Sequence, residues 1–241
     1  MDIEKLKNIN KQIEEQIWTT FCMAKFHHAT IHLQTWETQS CHHPFPHKIP
    51  LEEIENNPSA LHNTKQKKLY RKQMLESKRP DECDYCWNIE DTSKWNISDR
   101  HINNYYIYSK QEIEYLKEQW GNIDFNPTRV EVSFWNQCQF KCWYCSPKAS
   151  SSYWQETEKY WPMHEAHDLS SIQLWKSEDD NPYIKAWWKW WPHIKDGLIR
   201  LRITWWEALL QESTWRVFKE INNGIFPYLE LCVNSNLWVN Q

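Results

Sequence analysis

The sequence predicts an α/β fold, and the order of its segments in the second half carries that prediction. Short β-rich segments there alternate with helical segments, which is typical of a parallel sheet or barrel. The predicted strands are 129–134, 198–204 and 228–234, and the predicted helices are 148–160, 181–191 and 213–222. In such folds the chemistry is placed in loops that follow the strands.

The first half predicts a more mixed arrangement. An amphipathic helix over 2–19 precedes β-like segments at 26–33 and 38–41, and two helices follow at 51–57 and 59–77. The second of these helices carries a run of cationic side chains that predicts a solvated face, with partner binding as the alternative: Lys65, Lys67, Lys68, Arg71 and Lys72. Residues 92–128 are polar, and we expect a linker there with one helix near 110–119.

Charge and composition exclude several classes of protein. The 241 residues carry a net charge of -4, which argues against a general nucleic-acid role. The first twenty residues contain no long apolar run, so we expect neither a secretory signal nor a membrane span and place the protein in the cytoplasm. In a reducing compartment, clustered cysteines among the eight present favour metal binding over disulfides.

One cysteine group directly follows the predicted strand 129–134. Cys138, Cys142 and Cys145 have the spacing Cys-x3-Cys-x2-Cys. Iron–sulfur clusters usually take four cysteine ligands, so a loop that offers three leaves one iron open to a substrate or cofactor. The alternatives are a zinc loop or chance clustering, although structural zinc prefers paired Cys-x2-Cys units.

This loop resembles that of the radical S-adenosylmethionine (SAM) superfamily, and Tyr144 before the last cysteine fits the family pattern. The resemblance implies a partial (β/α)6 TIM-like barrel with a 4Fe-4S cluster held by the three cysteines. It also implies that SAM binds the open iron through its amino and carboxylate groups. The family cleaves SAM to methionine and a 5′-deoxyadenosyl radical, which removes a hydrogen atom from the substrate.

Two further segments resemble family motifs at the ends of the next two strands. Trp205-Trp206-Glu207-Ala208 aligns with the Gly-Gly-Glu-Pro motif that contacts the SAM amino group, and Asn234-Ser235-Asn236 is similar to Thr-Asn-Gly. The resemblance therefore implies one set of cofactor-binding residues: Tyr144, Trp205, Trp206, Glu207, Asn234 and Asn236. No catalytic side chain is assigned.

The other cysteine group lies in the N-terminal half. Cys22, Cys41, Cys83 and Cys86 resemble the SPASM/twitch auxiliary-cluster segment, with Trp36 at its glycine position. The resemblance implies a second, fully ligated 4Fe-4S cluster that carries electrons or holds substrate. Zinc bound by the same four cysteines, or no metal, remains open. The histidines next to Cys41 are further candidate zinc ligands: His42, His43 and His47.

These assignments divide the chain into four parts. We expect an N-terminal helix at 1–20, a small cysteine-rich α+β module of the twitch/SPASM type at 21–90, a linker at 91–128 and the radical SAM core at 129–241. The chain ends soon after the third predicted strand of the core. We therefore expect an incomplete barrel that contains only its N-terminal half.

Tryptophan stands at several positions where the family pattern or turn chemistry requires glycine. The chain has 3 Gly and 18 Trp, whereas average composition would give roughly 17 Gly. The positions concerned are Trp36, Trp205, Trp206 and Trp238. Our hypothesis is that the gene reads UGA as glycine, as some bacteria with reassigned codes do. The alternative is a decayed homologue with genuine tryptophans.

The sequence thus predicts a radical SAM enzyme that acts on an unknown substrate, either a peptide or a small molecule. An electron donor such as ferredoxin or flavodoxin is the expected partner, and neither nucleic acid nor membrane is expected. The alternative function is a non-catalytic metal-binding scaffold, with zinc or iron–sulfur clusters, in a degenerate radical SAM homologue.

Overall fold

The computed structural model describes residues 2–93, 95–119, 124–143, 145–147, 150–160, 177–204 and 207–237. The helices of the described ranges are α1 (Ile3–Gln16), α2 (Ala24–His27), α3 (Leu51–Asn56), α4 (Lys65–Leu75), α5 (Asp84–Thr92), α6 (Asp99–Ile107), α7 (Lys110–Gln119), α8 (Ser151–Tyr160), α9 (Pro182–Ile194) and α10 (Glu212–Asn222). The strands are β1 (His28–His32), β2 (Glu37–Gln39), β3 (His47–Lys48), β4 (Arg129–Ser133), β5 (Arg200–Ile203) and β6 (Glu230–Val233).

The strands form one mixed sheet of six in the order β3-β2-β1-β4-β5-β6. β1, β4, β5 and β6 are parallel neighbours, whereas β2 and β3 pair antiparallel at the edge next to β1. The predicted α/β class and the strand–helix alternation of the second half are confirmed. The pairing of β1 with β4 carries the sheet across the predicted boundary at residue 129, and the four-part division stays a prediction.

The main core lies between one face of this sheet and α9. Alternate residues of β4 and β5, such as Val132 and Ile203, face α9, where Trp187, Trp190 and Trp191 are buried. The opposite face of the same strands is polar: Arg129, Glu131, Arg200 and Arg202 line an open groove there. The sheet therefore has one apolar face covered by helix and one charged face.

The expected linker contains two helices, α6 and α7, where the sequence predicted one. Ser98 and His101 form a capping box at the start of α6. A capping box usually has Glu or Gln at the position of His101, so the sequence does not predict that a helix begins here. The helix is held by polar side chains: Arg100 and Asn104 both donate to the carbonyl of Phe21, at 3.0 and 3.2 Å.

The prediction that the cationic face of α4 is solvated is wrong for two of its residues. Lys67 and Arg71 are 1% and 0% exposed. They are one helical turn apart, so they share a face, and that face is turned into the protein. Arg71 donates to Asn63 Oδ1 at 2.7 Å and to the Lys25 carbonyl at 2.9 Å. Polar partners rather than solvent satisfy this face.

Trp36 occupies the turn between β1 and β2 with a φ of 47°. This is the left-handed region, which glycine enters without cost and which a side chain with a Cβ disfavours. The expectation that this turn needs positive φ is confirmed. As for membrane contact, none of the helices in the described ranges is both long and apolar enough to cross a bilayer.

Candidate metal centres

The four N-terminal cysteines come from three separate segments and line one cavity. Cys22 precedes α2, Cys41 follows β2, and Cys83 and Cys86 lie at the start of α5. The loops and helices between them therefore fold back so that residues more than sixty positions apart in sequence meet. All four cysteines therefore line one cavity, and their role as ligands stays a prediction.

Burial controls the chemistry of these thiols. Cys22 and Cys86 are buried, while Cys41 and Cys83 are partly buried. Burial raises the pKa of the Cys22 thiol above its usual range, and the neighbouring Cys83 and Cys41 raise it further. Burial likewise raises the pKa of Cys83, although the ammonium of Lys25 opposes this effect. Without a cation among them, four thiolates in such a space repel one another. A bound metal ion stabilises the thiolate form.

Buried cations surround the same cavity. Lys25 and Arg100 line it, and each is paired: Lys25 with Glu82 and Arg100 with Glu90, at 2.7 Å. Lys67 lies behind Cys41, and its positive charge lowers the pKa of that thiol, as does that of Lys25, against the larger effect of burial. The cavity is therefore bordered by cations and carboxylates together, with Asp99 also in its lining.

Lys67 differs from the other buried cations, Lys25 and Arg100, in its partners. Its ammonium donates to Thr38 Oγ1 at 2.7 Å and to the Gln39 carbonyl at 3.0 Å. Across the described ranges it forms no ion pair with a carboxylate. Burial, followed by the charges of Arg71 and Lys25, lowers the pKa of Lys67 well below its usual range, whereas the charge of Cys41 raises it. Negative charge at the four cysteines would therefore favour the protonated form of Lys67.

Cysteine thiolates bind two kinds of metal centre. A zinc ion holds tetrahedral thiolates at about 2.3 Å, which places their sulfurs about 3.8 Å apart. A four-iron cluster instead binds each cysteine through a different iron. The thiol donors of both groups suit either kind of metal.

The second group is held on the loop after β4, next to the start of α8. Cys138 is buried, whereas Cys142 and Cys145 are partly exposed. The backbone N–H of Cys138 donates to Ser151 Oγ at 3.1 Å, and that hydroxyl donates back to the Cys138 carbonyl at 3.2 Å. Burial raises the pKa of Cys145, and the neighbouring Cys142 and Cys138 add to this. The three thiols therefore lie near one another.

Two polar contacts hold the rest of this loop against α8. Ser150 Oγ donates to the carbonyl of Phe140 at 2.6 Å. Lys141 forms an ion pair with Glu156 of α8 at 2.7 Å. The loop is therefore anchored at its first cysteine and at its middle, while the end that carries Cys142 and Cys145 faces outward.

Glu207 joins the ends of the next two strands. It is fully buried, and its Oε1 accepts hydrogen bonds from the Leu209 N–H at 3.0 Å and the Ser235 hydroxyl at 2.6 Å. Its Oε2 accepts from the Asn236 N–H at 2.7 Å. Its own N–H donates to the Gln137 carbonyl, at 3.2 Å, next to the cysteine loop. These hydrogen bonds connect Glu207 to the segments that follow β4, β5 and β6, so its carboxylate stabilises this edge of the sheet.

The residues predicted from the three strand ends therefore meet at one edge. The Cys138 loop follows β4, Glu207 follows β5, and Asn234 and Asn236 follow β6, and these strands are parallel neighbours. Asn234 continues the pairing of β6, since its N–H donates to the Ile203 carbonyl at 2.9 Å. Four other predicted positions lie outside the described residues: Tyr144, Trp205, Trp206 and Trp238.

Sequence reasoning missed the buried cations around the N-terminal cavity. Lys67 and Arg71 were visible as an i, i+4 pair, but charge alone predicts exposure. The polar residues that receive them, Asn63 and Thr38, carry no recognisable motif. Only the fold brings α4 against the segment that contains Cys41.

We compared the chain with models of protein families, with curated proteins and with solved structures, and none of the three comparisons found a match.

Proposed function

We propose that this chain is a radical SAM enzyme with two iron–sulfur clusters, one at each cysteine group. One observation carries the proposal: the three-cysteine loop lies at the same sheet edge as Glu207 and Asn236, while the other four cysteines surround a separate cavity. Ligands at the carboxyl ends of parallel strands are the usual arrangement of α/β enzymes.

In this proposal the four parallel strands β1, β4, β5 and β6 are part of a partial (β/α)6 TIM-like barrel. The polar face that carries Arg129 and Arg202 then corresponds to the inside of the barrel, and α8, α9 and α10 belong to its outer layer. The charged character of that face supports this orientation, since the packed core lies on the other side of the strands.

The residues of the loop fit the cofactor. Cys138, Cys142 and Cys145 supply three thiolates, so a 4Fe-4S cluster held there keeps one iron free for SAM. When bound, the cluster and SAM supply the radical chemistry that removes hydrogen from a substrate. Ser151 fixes the backbone of Cys138. Glu207 acts as a positioning residue, because both its oxygens are occupied by hydrogen bonds from the chain.

The four N-terminal cysteines fit a second cluster without an open position. Lys25 and Arg100 line this cavity, paired with Glu82 and Glu90, and Cys22 and Cys86 are buried in it. We propose an electron-transfer or substrate-holding role for this cluster, with ferredoxin or flavodoxin as the electron donor. The substrate is a peptide or a small molecule.

The conformation of Trp36 supports glycine at the suspect tryptophan positions. A φ of 47° at a tryptophan is what a turn built for glycine produces. The codons at positions 36, 205, 206 and 238 test this directly. TGA codons mean that the protein has glycine there. TGG codons mean genuine tryptophans, and a non-catalytic metal-binding scaffold is then the better account.

The enzymatic proposal is tested by SAM cleavage. We expect the anaerobically reconstituted protein, with glycine at those four positions where the codons require it, to form 5′-deoxyadenosine under a strong reductant. Cys142→Ala should reduce the product to background. Cys232→Ala is the matched control, since Cys232 lies on β6 outside both groups. Absence of product from the reconstituted protein, or equal product from Cys142→Ala, would refute the proposal.

A further inference from the structure

Two histidines and one aspartate converge beside the N-terminal cysteine cavity. His42 and His43 follow Cys41, and Asp99 is the first residue of α6. The Nε2 atoms of both histidines and Oδ2 of Asp99 all lie within 4.8 Å of one another. His43 Nε2 is 2.5 Å from Asp99 Oδ2, and His42 Nε2 is 3.6 Å from the same oxygen.

The local packing holds these groups in place. The His43 ring stacks on Tyr85 of α5 with centroids 3.7 Å apart and planes 12° apart. The His42 ring lies 4.1 Å from the His43 ring. Asp99 is held by the start of α6, whose capping box orders the backbone on which it stands. Two segments, the loop after β2 and the start of α6, therefore bring the three ligand residues together, and Tyr85 of α5 packs against one of them.

We propose that His42, His43 and Asp99 form a mononuclear zinc site at the border of the N-terminal cysteine cavity, which His43 and Asp99 also line, with no cysteine among its ligands. Two imidazoles and one carboxylate are a donor set that zinc accepts, with the fourth position left to water. Ligand atoms 2.0–2.2 Å from a tetrahedral ion are about 3.4 Å apart. The observed separations of 2.5 and 3.6 Å bracket that value.

The site is open to metal from solvent. The side chain of His42 is 75% exposed, that of Asp99 35% and that of His43 13%. His42 also lines the open groove on the charged sheet face, together with Arg129 and Arg200. The water position of a bound zinc is therefore accessible from that groove. Nitrogen and oxygen donors distinguish this site from the cysteine groups, which offer only sulfur.

Metal binding by variants tests the proposal. The full chain is dialysed against buffered Zn²⁺ under anaerobic conditions, and bound zinc is measured by elemental analysis. We expect His42→Ala and Asp99→Asn each to lose about one zinc per chain relative to the unmodified protein or to weaken its binding by at least about tenfold. His193→Ala is the matched control, since His193 is an exposed histidine of α9 far in sequence from the site. His42 is exposed, so its replacement leaves the fold intact, as circular dichroism verifies.

Co²⁺ identifies the donor atoms, because zinc at the cysteines would otherwise confuse the count. The difference spectrum between the unmodified protein and His42→Ala should show weak visible d–d absorption without a thiolate-to-cobalt charge-transfer band. Any thiolate band from the cysteine groups should be equal in the two proteins. Equal zinc and equal cobalt spectra in His42→Ala, Asp99→Asn and the control would overturn the proposal. A difference spectrum dominated by thiolate charge transfer would also overturn it.

Discussion

The two cysteine groups are built in opposite ways. Cys22, Cys41, Cys83 and Cys86 are brought together from distant segments around one cavity, and Cys22 and Cys86 are buried. Cys138, Cys142 and Cys145 lie within eight residues on one loop, and two of the three are partly exposed. A closed site with four ligands has no position left for another molecule. An open site with three ligands has one, and this contrast separates a structural or electron-transferring centre from a reactive one.

The charges around the two groups differ as well. The N-terminal cavity is bordered by buried cations, among them Lys67 without a carboxylate partner in the described ranges. The loop group has Lys141 beside it, and this lysine is neutralised by Glu156 and is 47% exposed. Ion-paired cations therefore lie beside both groups, and they are buried at the first and about half exposed at the second. The second group is left to be completed by solvent or by a bound molecule.

The largest effect is expected from Glu207→Gln. This change affects the sheet edge at the three-cysteine loop and leaves the N-terminal cysteine group unchanged. Either orientation of the new amide places an NH2 group against an N–H or hydroxyl that now donates to the carboxylate. A buried donor without an acceptor costs about 1 to 3 kcal/mol. We expect the free energy of unfolding to fall by that amount in urea titrations, and iron at the N-terminal group to be retained.

Glu158→Gln is the control for that change, because Glu158 is exposed on α8. It should leave the free energy of unfolding within about 0.5 kcal/mol of the unmodified protein. An equally small effect of Glu207→Gln would show that its hydrogen bonds do not brace the strand ends.

Lys67→Met changes the surroundings of the N-terminal cysteine group and leaves the three-cysteine loop unchanged. Removing a buried charge several ångströms from a negative cluster costs about 1 to 2 kcal/mol of electrostatic stabilisation. We therefore expect about tenfold weaker retention of iron by the N-terminal group in a chelator challenge, with the loop group unchanged. The free energy of unfolding of the chain without metal should fall by about 1 to 3 kcal/mol, because the Gln39 carbonyl and the Thr38 hydroxyl lose the donor that Lys67 supplies.

Lys72→Met is the matched control on the same helix, since Lys72 is exposed. Its iron retention should equal that of the unmodified protein. If Lys67→Met and Lys72→Met retain iron equally, the buried cation does not compensate the cluster.

The pH dependence of the free energy of unfolding tests the burial of two histidines in the cation-rich N-terminal half. Burial lowers the pKa of His28 to about 3, and the charges of Arg129, His27, His42 and Arg200 add to this. Burial followed by the charge of Lys67 lowers the pKa of His47 to about 3 as well. Between pH 6.5 and 3 the unfolded chain therefore binds protons that the folded chain does not. The free energy of unfolding should fall as the pH falls through that window.

Each such histidine contributes a slope of up to about 1.4 kcal/mol per pH unit. His28→Gln should reduce the slope measured by denaturant titrations between pH 4 and about 6.5, whereas replacement of the exposed His193 should not. An unchanged slope in His28→Gln would contradict the assignment.

The smallest effect concerns the turn that carries Trp36. Its ring stacks against Tyr183 with centroids 6.4 Å apart, and the Lys48 ammonium lies 4.6 Å from its centroid. Trp36→Gly and Trp36→Ala both remove these contacts, but only glycine relieves the positive φ. We expect Trp36→Gly to be more stable than Trp36→Ala by about 1 kcal/mol in thermal or urea unfolding. Equal stabilities would mean that the turn relaxes to accept a side chain.

The sequence was informative where signals are local. The parallel strands β4, β5 and β6 follow from β-rich segments separated by helices, and the cysteine spacings indicated the two groups. Partners far apart in sequence carry no such signal. The pairing of β1 with β4 joins residues about a hundred positions apart. The burial of Lys67 depends on the packing of α4 against β2, and a histidine replaces the usual glutamate in the capping box of α6.

The most direct test of the account is the iron content of each cysteine group. Two four-iron clusters predict about eight irons per chain after anaerobic reconstitution. Cys138→Ala/Cys142→Ala/Cys145→Ala and Cys22→Ala/Cys41→Ala should each retain about four, and Mössbauer spectra should assign them to 4Fe-4S clusters. That result supports one centre at each group. Zinc bound at the cysteines with little iron, or equal iron in all three proteins, would contradict it.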